Sequence, residues 1–259
     1  MTTTEATDVV LHERRGGVLI ITLNRPAQKN AVNLEVARQV AAAMDLLDSD
    51  ADLSVGVLTG AGGVFSAGMD LKAFAQGQLP RLPGRGFGGL TRATVRKPLI
   101  AAVEGWALGG GFEMVLACDL IVAAENARFG FPEVTRGIVA GEGGLVRLPH
   151  RLPYHVAVQL LLTGEPLSAP EAGRYGLVNL VTAAGGALDG ALELAARVAK
   201  NAPLALAAVK QVMRVTQGLN DRDAFQRQDE ITEGLTKTED AHEGAVAFVQ
   251  KRAPVWHGR

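Results

Sequence analysis

Two glutamates and one run of glycine carry the chemistry that this sequence could perform. Glu113 closes the stretch GWALGGGFE, three residues after Gly110, and Glu133 follows Pro132 in FGFPE. Residues three apart on a helix share a face, and the Cα–Cβ bond of Glu113 tilts back towards the helix N-terminus. That end of a helix carries unsatisfied N–H groups and the positive pole of the dipole. A glycine costs a helix interior about 0.8–1 kcal/mol relative to alanine. Gly109, Gly110 and Gly111 therefore imply a backbone that approaches something closely. A second glycine-containing stretch, GAGGVFSAGMDLK over 60–72, follows the strand-like SVGVLTG. Two strand ends with bare backbone could each aim a peptide N–H at one point, forming an oxyanion hole for an enolate or a tetrahedral oxyanion. Two carboxylates beside it could share one water, one withdrawing its proton and the other protonating carbon. Close helix–strand packing would account for the glycines as well. Taken alone, either glutamate is more often a solvated or salt-bridged side chain.

Other chemistries lack their residues. There is no Gly-Lys step for a phosphate loop and no HExxH, and His12, His150, His155, His242 and His257 lack metal-ligand spacing. No metal is expected. VFSAG around Ser66 resembles a nucleophile elbow, but Val64 stands where that motif needs glycine. The segment AQGQLPRLPGRGFGGL (75–90) holds a GxGxxG match at Gly84, Gly86 and Gly89. LPRLP precedes it and Pro98 follows, whereas a dinucleotide fingerprint needs a strand before it and a full helix after it. The segment is expected to be a mobile loop over a site. Cys118 is the one cysteine; set in MVLACDLIV, it reads as a buried core thiol rather than a nucleophile.

The elements that must position these residues alternate. VVLHERRGGVLIITLNRP reads as two strands turned at Gly16-Gly17, and NLEVARQVAAAMDLLDSD as a helix with Asn33 as N-cap. SVGVLTG is a buried strand, and LIAAVEG, FEMVLACD and LIVAAE repeat strand, helix, strand. The class is α/β. Four helical segments follow Gly186, near 187–200, 203–217, 221–235 and 239–252. The expected organisation is an α/β core over 1–195 and a helical region over 196–259. With 259 residues and a net charge of −1, the chain has no basic excess, which disfavours nucleic acid as a partner but leaves room for an anionic small molecule. MTTTEATDVV has no leader pattern and no apolar run reaches the ~18 residues of a membrane span, so a cytosolic protein with no membrane partner is expected.

FSAGMDLKAF, GWALGGGFEMVLACDLIVAAENARFGFPE, GIVAGEGG, LTGEPLSAPEAGRYGLVNLV and EDAHEGAVAFVQKRAPVW together resemble the crotonase (enoyl-CoA hydratase/isomerase) superfamily over nearly the whole chain. The resemblance implies a spiral of ββα repeats with a C-terminal helical trimerisation region, assembled as a homotrimer or homohexamer. It implies oxyanion amides at Met69 and Gly110, with Glu113 and Glu133 as the acid–base pair of a hydratase. Coenzyme A, as part of an acyl-CoA thioester substrate, would lie along Ala67 and Leu71 with Lys72 and Arg25 near its phosphates. Lys251 would reach the CoA of an adjacent subunit. No further cofactor is implied. Ala140 stands where many relatives have proline, and Glu142 adds a third carboxylate where many have a small neutral residue. The 75–90 segment and the ending PVWHGR look more like the carnitinyl-CoA dehydratase (crotonobetainyl-CoA hydratase) branch, which leaves the acyl group open. An enoyl-CoA isomerase needs only one acid–base residue, and an inactive CoA- or RNA-binding scaffold needs neither; retention of both glutamates weighs against both.

Overall fold

In the computed structural model, which describes residues 8–259, six strands form one sheet in the order β1-β2-β3-β6-β8-β11. They are β1 (Val10–Arg15), β2 (Val18–Leu23), β3 (Val55–Gly60), β6 (Leu99–Val103), β8 (Leu120–Ala124) and β11 (Leu180–Thr182). Only β1 runs antiparallel to its neighbour; the others pair in parallel. These parallel strands read as continuous apolar runs because both faces are covered. One face, with Leu19, Ile21, Leu58, Ala101 and Ile121, packs into the main core with helix α1 (Leu34–Ser49). The other, with Ile20, Val57, Ile100 and Val122, lies under Ala187, Ala191 and Ala195 of helix α7 (Ala187–Val198). Asn33 caps α1 as expected, its side chain accepting from Val36 N at 3.0 Å. The leader reading falls largely on residues 1–7, outside the described residues.

A second sheet, in the order β10-β9-β7, combines β7 (Trp106–Leu108), β9 (Arg128–Gly130) and β10 (Leu167–Ser168). Single pairings of Ser66 with Ala107 and of Val32 with Met69 extend it. Consecutive strands thus divide between the sheets. β6 passes to β7 and then helix α3 (Gly110–Ala117); β8 passes to β9 and then the 3-10 turn Pro132–Arg136. β3 leads through the Ser66 pairing to the short helix α2 (Leu71–Ala75). This is the ββα repetition. β4 (Arg81–Leu82) and β5 (Gly86–Phe87) make a small hairpin, and α4 (Gly144–Arg147), α5 (Tyr154–Thr163) and α6 (Ala169–Arg174) complete the core. Helices α8 (Pro203–Val215), α9 (Asp221–Thr232) and α10 (Glu239–Val249) follow. The division expected after residue 195 falls inside α7, whose alanine face packs on the sheet.

Candidate active site

Helix α3 is buried from Gly110 to Leu116 on every side, so its start is fixed by packing rather than by solvent. Each glycine at that start meets a different neighbour. Gly109 has φ +54° and ψ −129°, a backbone conformation that needs glycine. A Cβ on Gly109 would stand 3.0 Å from Glu133 Oε1, one on Gly110 would collide with the Phe87 ring, and one on Gly111 would lie 2.8 Å from Ser66. The Ser66–Met69 segment runs beside β7, with Leu108 N donating to Ser66 O at 3.0 Å. A Cβ on Gly68 would come within 3.3 Å of Gly110 N. The peptide leading to Met69 therefore lies against the start of α3. Among the described residues, neither Met69 N nor Gly110 N donates a backbone hydrogen bond. Two amides without a backbone acceptor thus stand on adjoining segments.

The two carboxylates differ in surroundings. Glu113 is 3% exposed, and its Oε1 accepts from Glu142 N at 2.7 Å and Gly144 N at 2.9 Å. Burial raises its pKa, while the Gly144 amide and then the charges of Arg147, Arg81 and Arg92 pull it back. Glu133 is half-buried on the 3-10 turn, and its Oε2 is buried with no hydrogen-bond partner among the described residues. Burial, with repulsion from Glu113, pushes its pKa up to about 7. The turn is held in place by aromatics: Phe131 stacks on Phe112 of α3 with ring centres 4.7 Å apart. Burial raises both acids, but Glu113 Oε1 accepts two amide hydrogen bonds while Glu133 Oε2 is bare, so their environments differ.

The bare acid carries a stability consequence. A carboxyl whose folded pKa exceeds its unfolded one stabilises fully below the unfolded value, and that contribution is lost as pH rises through about 7. Glu133→Gln stays neutral throughout. At pH 8 it should melt roughly 2–4 °C above the native chain, and the gap should shrink at pH 5; calorimetry at the two pH values checks this.

One expectation is corrected, and two residues gain partners the sequence did not show. The 75–90 segment is not a mobile loop along its length: Gly86 to Leu90 are buried, and Phe87 packs over Gly110. Glu142, the third carboxylate, lies beside Glu113 with its side chain fully paired. It is 7% exposed and accepts from Phe87 N (2.9 Å), Thr91 Oγ1 (3.2 Å), Arg92 (3.1 Å) and Arg81. The Arg25 guanidinium pairs with Asp70 Oδ2 at 2.9 Å. Ser66 is fully buried, donating to Asn30 O and accepting from Gly68 N, so it shapes the glycine turn and is no nucleophile. Cys118 is buried, its thiol pushed up to about 12 by burial.

Arg25, Leu71 and Lys72 line a groove of about 620 Å³ that begins at Asp70, directly after Met69. Ala67 directly precedes the Gly68 turn that leads into this groove, its N–H donating to Lys29 O at 2.9 Å. Lys251, exposed at the end of α10, does not line the groove of its own chain. Sequence reasoning missed Phe87, Asp70 and the Glu142 hub; the buried hydrophobic Phe87 inside a Gly/Pro-rich stretch was the available signal.

The profile of the family described as Enoyl-CoA hydratase/isomerase matches residues 13–259. The chain belongs to that family, and its spiral fold is the crotonase fold. Among its relatives, the carnitinyl-CoA dehydratase of Escherichia coli K12 is 43% identical over 258 residues, spanning 95% of this chain and 97% of that protein. The crystal structure of an enoyl-CoA hydratase from Mycobacterium tuberculosis H37Rv superposes with a TM-score of 0.95 at 52% identity, covering 98% of this chain and 100% of that one. A carnitinyl-CoA hydratase from Mycobacterium avium gives a TM-score of 0.78 at 44% identity, covering 98% and 100%. The chain is an enzyme of this hydratase and dehydratase family, a lyase.

Proposed function

We propose that the enzyme adds water reversibly across the α,β double bond of a trans-2-enoyl-CoA, giving a 3-hydroxyacyl-CoA. The observation that carries this is the pair of unlike glutamates, one buried and one half-buried, beside two unused amides. Glu113, its pKa raised by burial against the pull of the Gly144 amide and the nearby arginines, takes a proton from water in its ionised form as the oxygen bonds to the β-carbon. The π electrons move to the thioester oxygen, and the Met69 and Gly110 amides stabilise the enolate. Glu133, neutral below about pH 7, then gives its proton to the α-carbon. The water's proton resides on Glu113 and must return through solvent or to Glu133 before the next turnover. Dehydration runs the same steps backwards. No metal or redox cofactor enters the scheme. Loss of enone-thioester absorbance on mixing with crotonyl-CoA tests it; a stable spectrum across acyl lengths would overturn it. A second acyl group is favoured by the relatives named carnitinyl-CoA dehydratase, so crotonobetainyl-CoA belongs in the same assay.

The groove at Arg25, Leu71 and Lys72 is the proposed seat of the CoA moiety, with Ala67 along its path. Helix α10 leaves Phe248 86% and Val249 79% exposed, while Met213 and Phe225 are exposed on α8 and α9. Such apolar surface supports a homotrimer or a dimer of trimers in a cytosolic setting. Lys251 would then reach a neighbour's CoA. Lys251→Ala should raise KM for the CoA ester roughly 10-fold with kcat near normal, since a charge-assisted contact remote from the chemistry binds all states alike. Light scattering at low concentration checks the assembly; a fully active monomer would rule out shared sites.

A further inference from the structure

We propose that Glu142 is the positioning residue for Glu113, gripping it from behind with its own backbone while its carboxylate gathers the β4–β5 hairpin. The inference rests on Glu113 being the group that activates water. Three observations converge on it.

The Glu142 N–H donates to Glu113 Oε1 at 2.7 Å, so any movement of residue 142 moves the hydrogen bond that sets the Glu113 rotamer. The Glu142 side chain is itself fixed by four donors drawn from one distant segment. They are Arg81, the Phe87 amide at 2.9 Å, the Thr91 hydroxyl at 3.2 Å and Arg92 at 3.1 Å. A fifth strap, Arg147, donates to Thr91 O at 2.6 Å and to Glu142 O at 3.4 Å, tying α4 to the same hub. Gly86 belongs to the arrangement, because a Cβ there would lie 2.8 Å from Glu142 Oε2. Phe87, whose amide holds that same oxygen, is the ring that covers Gly110. One buried carboxylate thus joins the base and the residue packed on the oxyanion amide.

Saturated in this way, Glu142 offers no lone pair for a cationic acyl group, so it reads no substrate charge directly. Its effect is on Glu113. The charged groups coupled to Glu113 are Arg147 from α4, Arg81 and Arg92 from the hairpin segment and Glu133 from the 3-10 turn, with the Glu142 carboxylate paired to both hairpin arginines. The side chains of Arg81 and Arg92 are 49% and 58% exposed, and Glu142 is the carboxylate that pairs with both, while Arg92 also donates to Gly141 O at 3.2 Å. Removing Glu142 deletes one negative charge but releases two positive ones. The net change disfavours ionised Glu113.

The test follows kcat/KM for hydration against pH in Glu142→Ala, Glu142→Asp and the double variant Arg81→Ala/Arg92→Ala. A hub predicts that Glu142→Ala and the arginine double variant both move the acid limb upwards, by roughly half to one pH unit. kcat should fall roughly 10- to 100-fold, as for misplacement of a catalytic group. Glu142→Asp should restore part of both. If Glu142 acted only as a repelling charge, Glu142→Ala would move the limb down while the arginine variant moved it up. Opposite shifts would overturn the proposal, as would a lowered melting temperature with an unmoved profile. Should Glu142→Ala fail to fold, the arginine variant, altered at half-exposed side chains, decides alone: an unmoved limb sinks the idea. Glu113→Gln run in parallel separates the two readings. If it kept full activity, the role of Glu113 would fall; if it were inactive while the Glu142 profiles stayed unchanged, only the hub would.

Discussion

Glu113→Gln and Glu133→Gln each lower kcat by at least ~10²-fold, the scale of a positioned acid or base. In Glu113→Gln the amide oxygen of the new side chain can still accept from Glu142 N and Gly144 N, so the rotamer survives while proton acceptance is lost. The Glu133→Gln side chain matches a neutral carboxylic acid in size and charge but has no proton to give the α-carbon. KM should therefore change little. The two act on one water and one enolate, so the double variant should cost little more than the worse single one. Steady-state kinetics on folded variants, checked by circular dichroism, measures this. Wild-type kcat in either single variant would remove that residue from the chemistry.

Replacing the Gly110 amide by an ester, through incorporation of the corresponding hydroxy acid, should lower kcat by ~10²–10³-fold. The ester deletes one N–H and adds no side chain. Proline deletes the same donor, but its Cβ would collide with the Phe87 ring and disturb the hairpin as well. Binding of a saturated acyl-CoA should persist, because the ground-state carbonyl draws less on the hole than the enolate does. Unchanged turnover in the ester variant would assign the glycines to packing alone.

Much of this site was legible in the chain because its signals are local. Asn33 followed by an apolar stripe marked α1, and the run Gly109–Gly111 followed by Glu113 marked a helix start that meets something. The pattern also marked β3, β6 and β8, whose apolar runs reflect cover on both faces. What local pattern could not supply was partnership over distance. Glu142 finds its donors 50 to 61 residues away, so GIVAGEGG shows a third carboxylate but not what holds it. The Gly/Pro content of 75–90 indicated a loop, but not that Phe87 anchors it through Gly110. Arg25 and Asp70, 45 residues apart, pair only once Val32 and Met69 bring their segments together. The small residues of α7 carried no sign that their face would lie on the sheet.

The three glycines at the head of α3 also constrain the order in which this sequence can change. Each is hemmed by a residue from a separate part of the chain: Glu133, Phe87 and Ser66. A side chain at 110 has no room until position 87 has already shrunk, whereas a smaller residue at 87 meets no such barrier. Position 109 is closed twice over, by its backbone angles and by the carboxylate beside it. Lineages descending from this chain can therefore reshape the site through Phe87 first and Gly110 second. The reverse path passes through an intermediate that cannot close its own core.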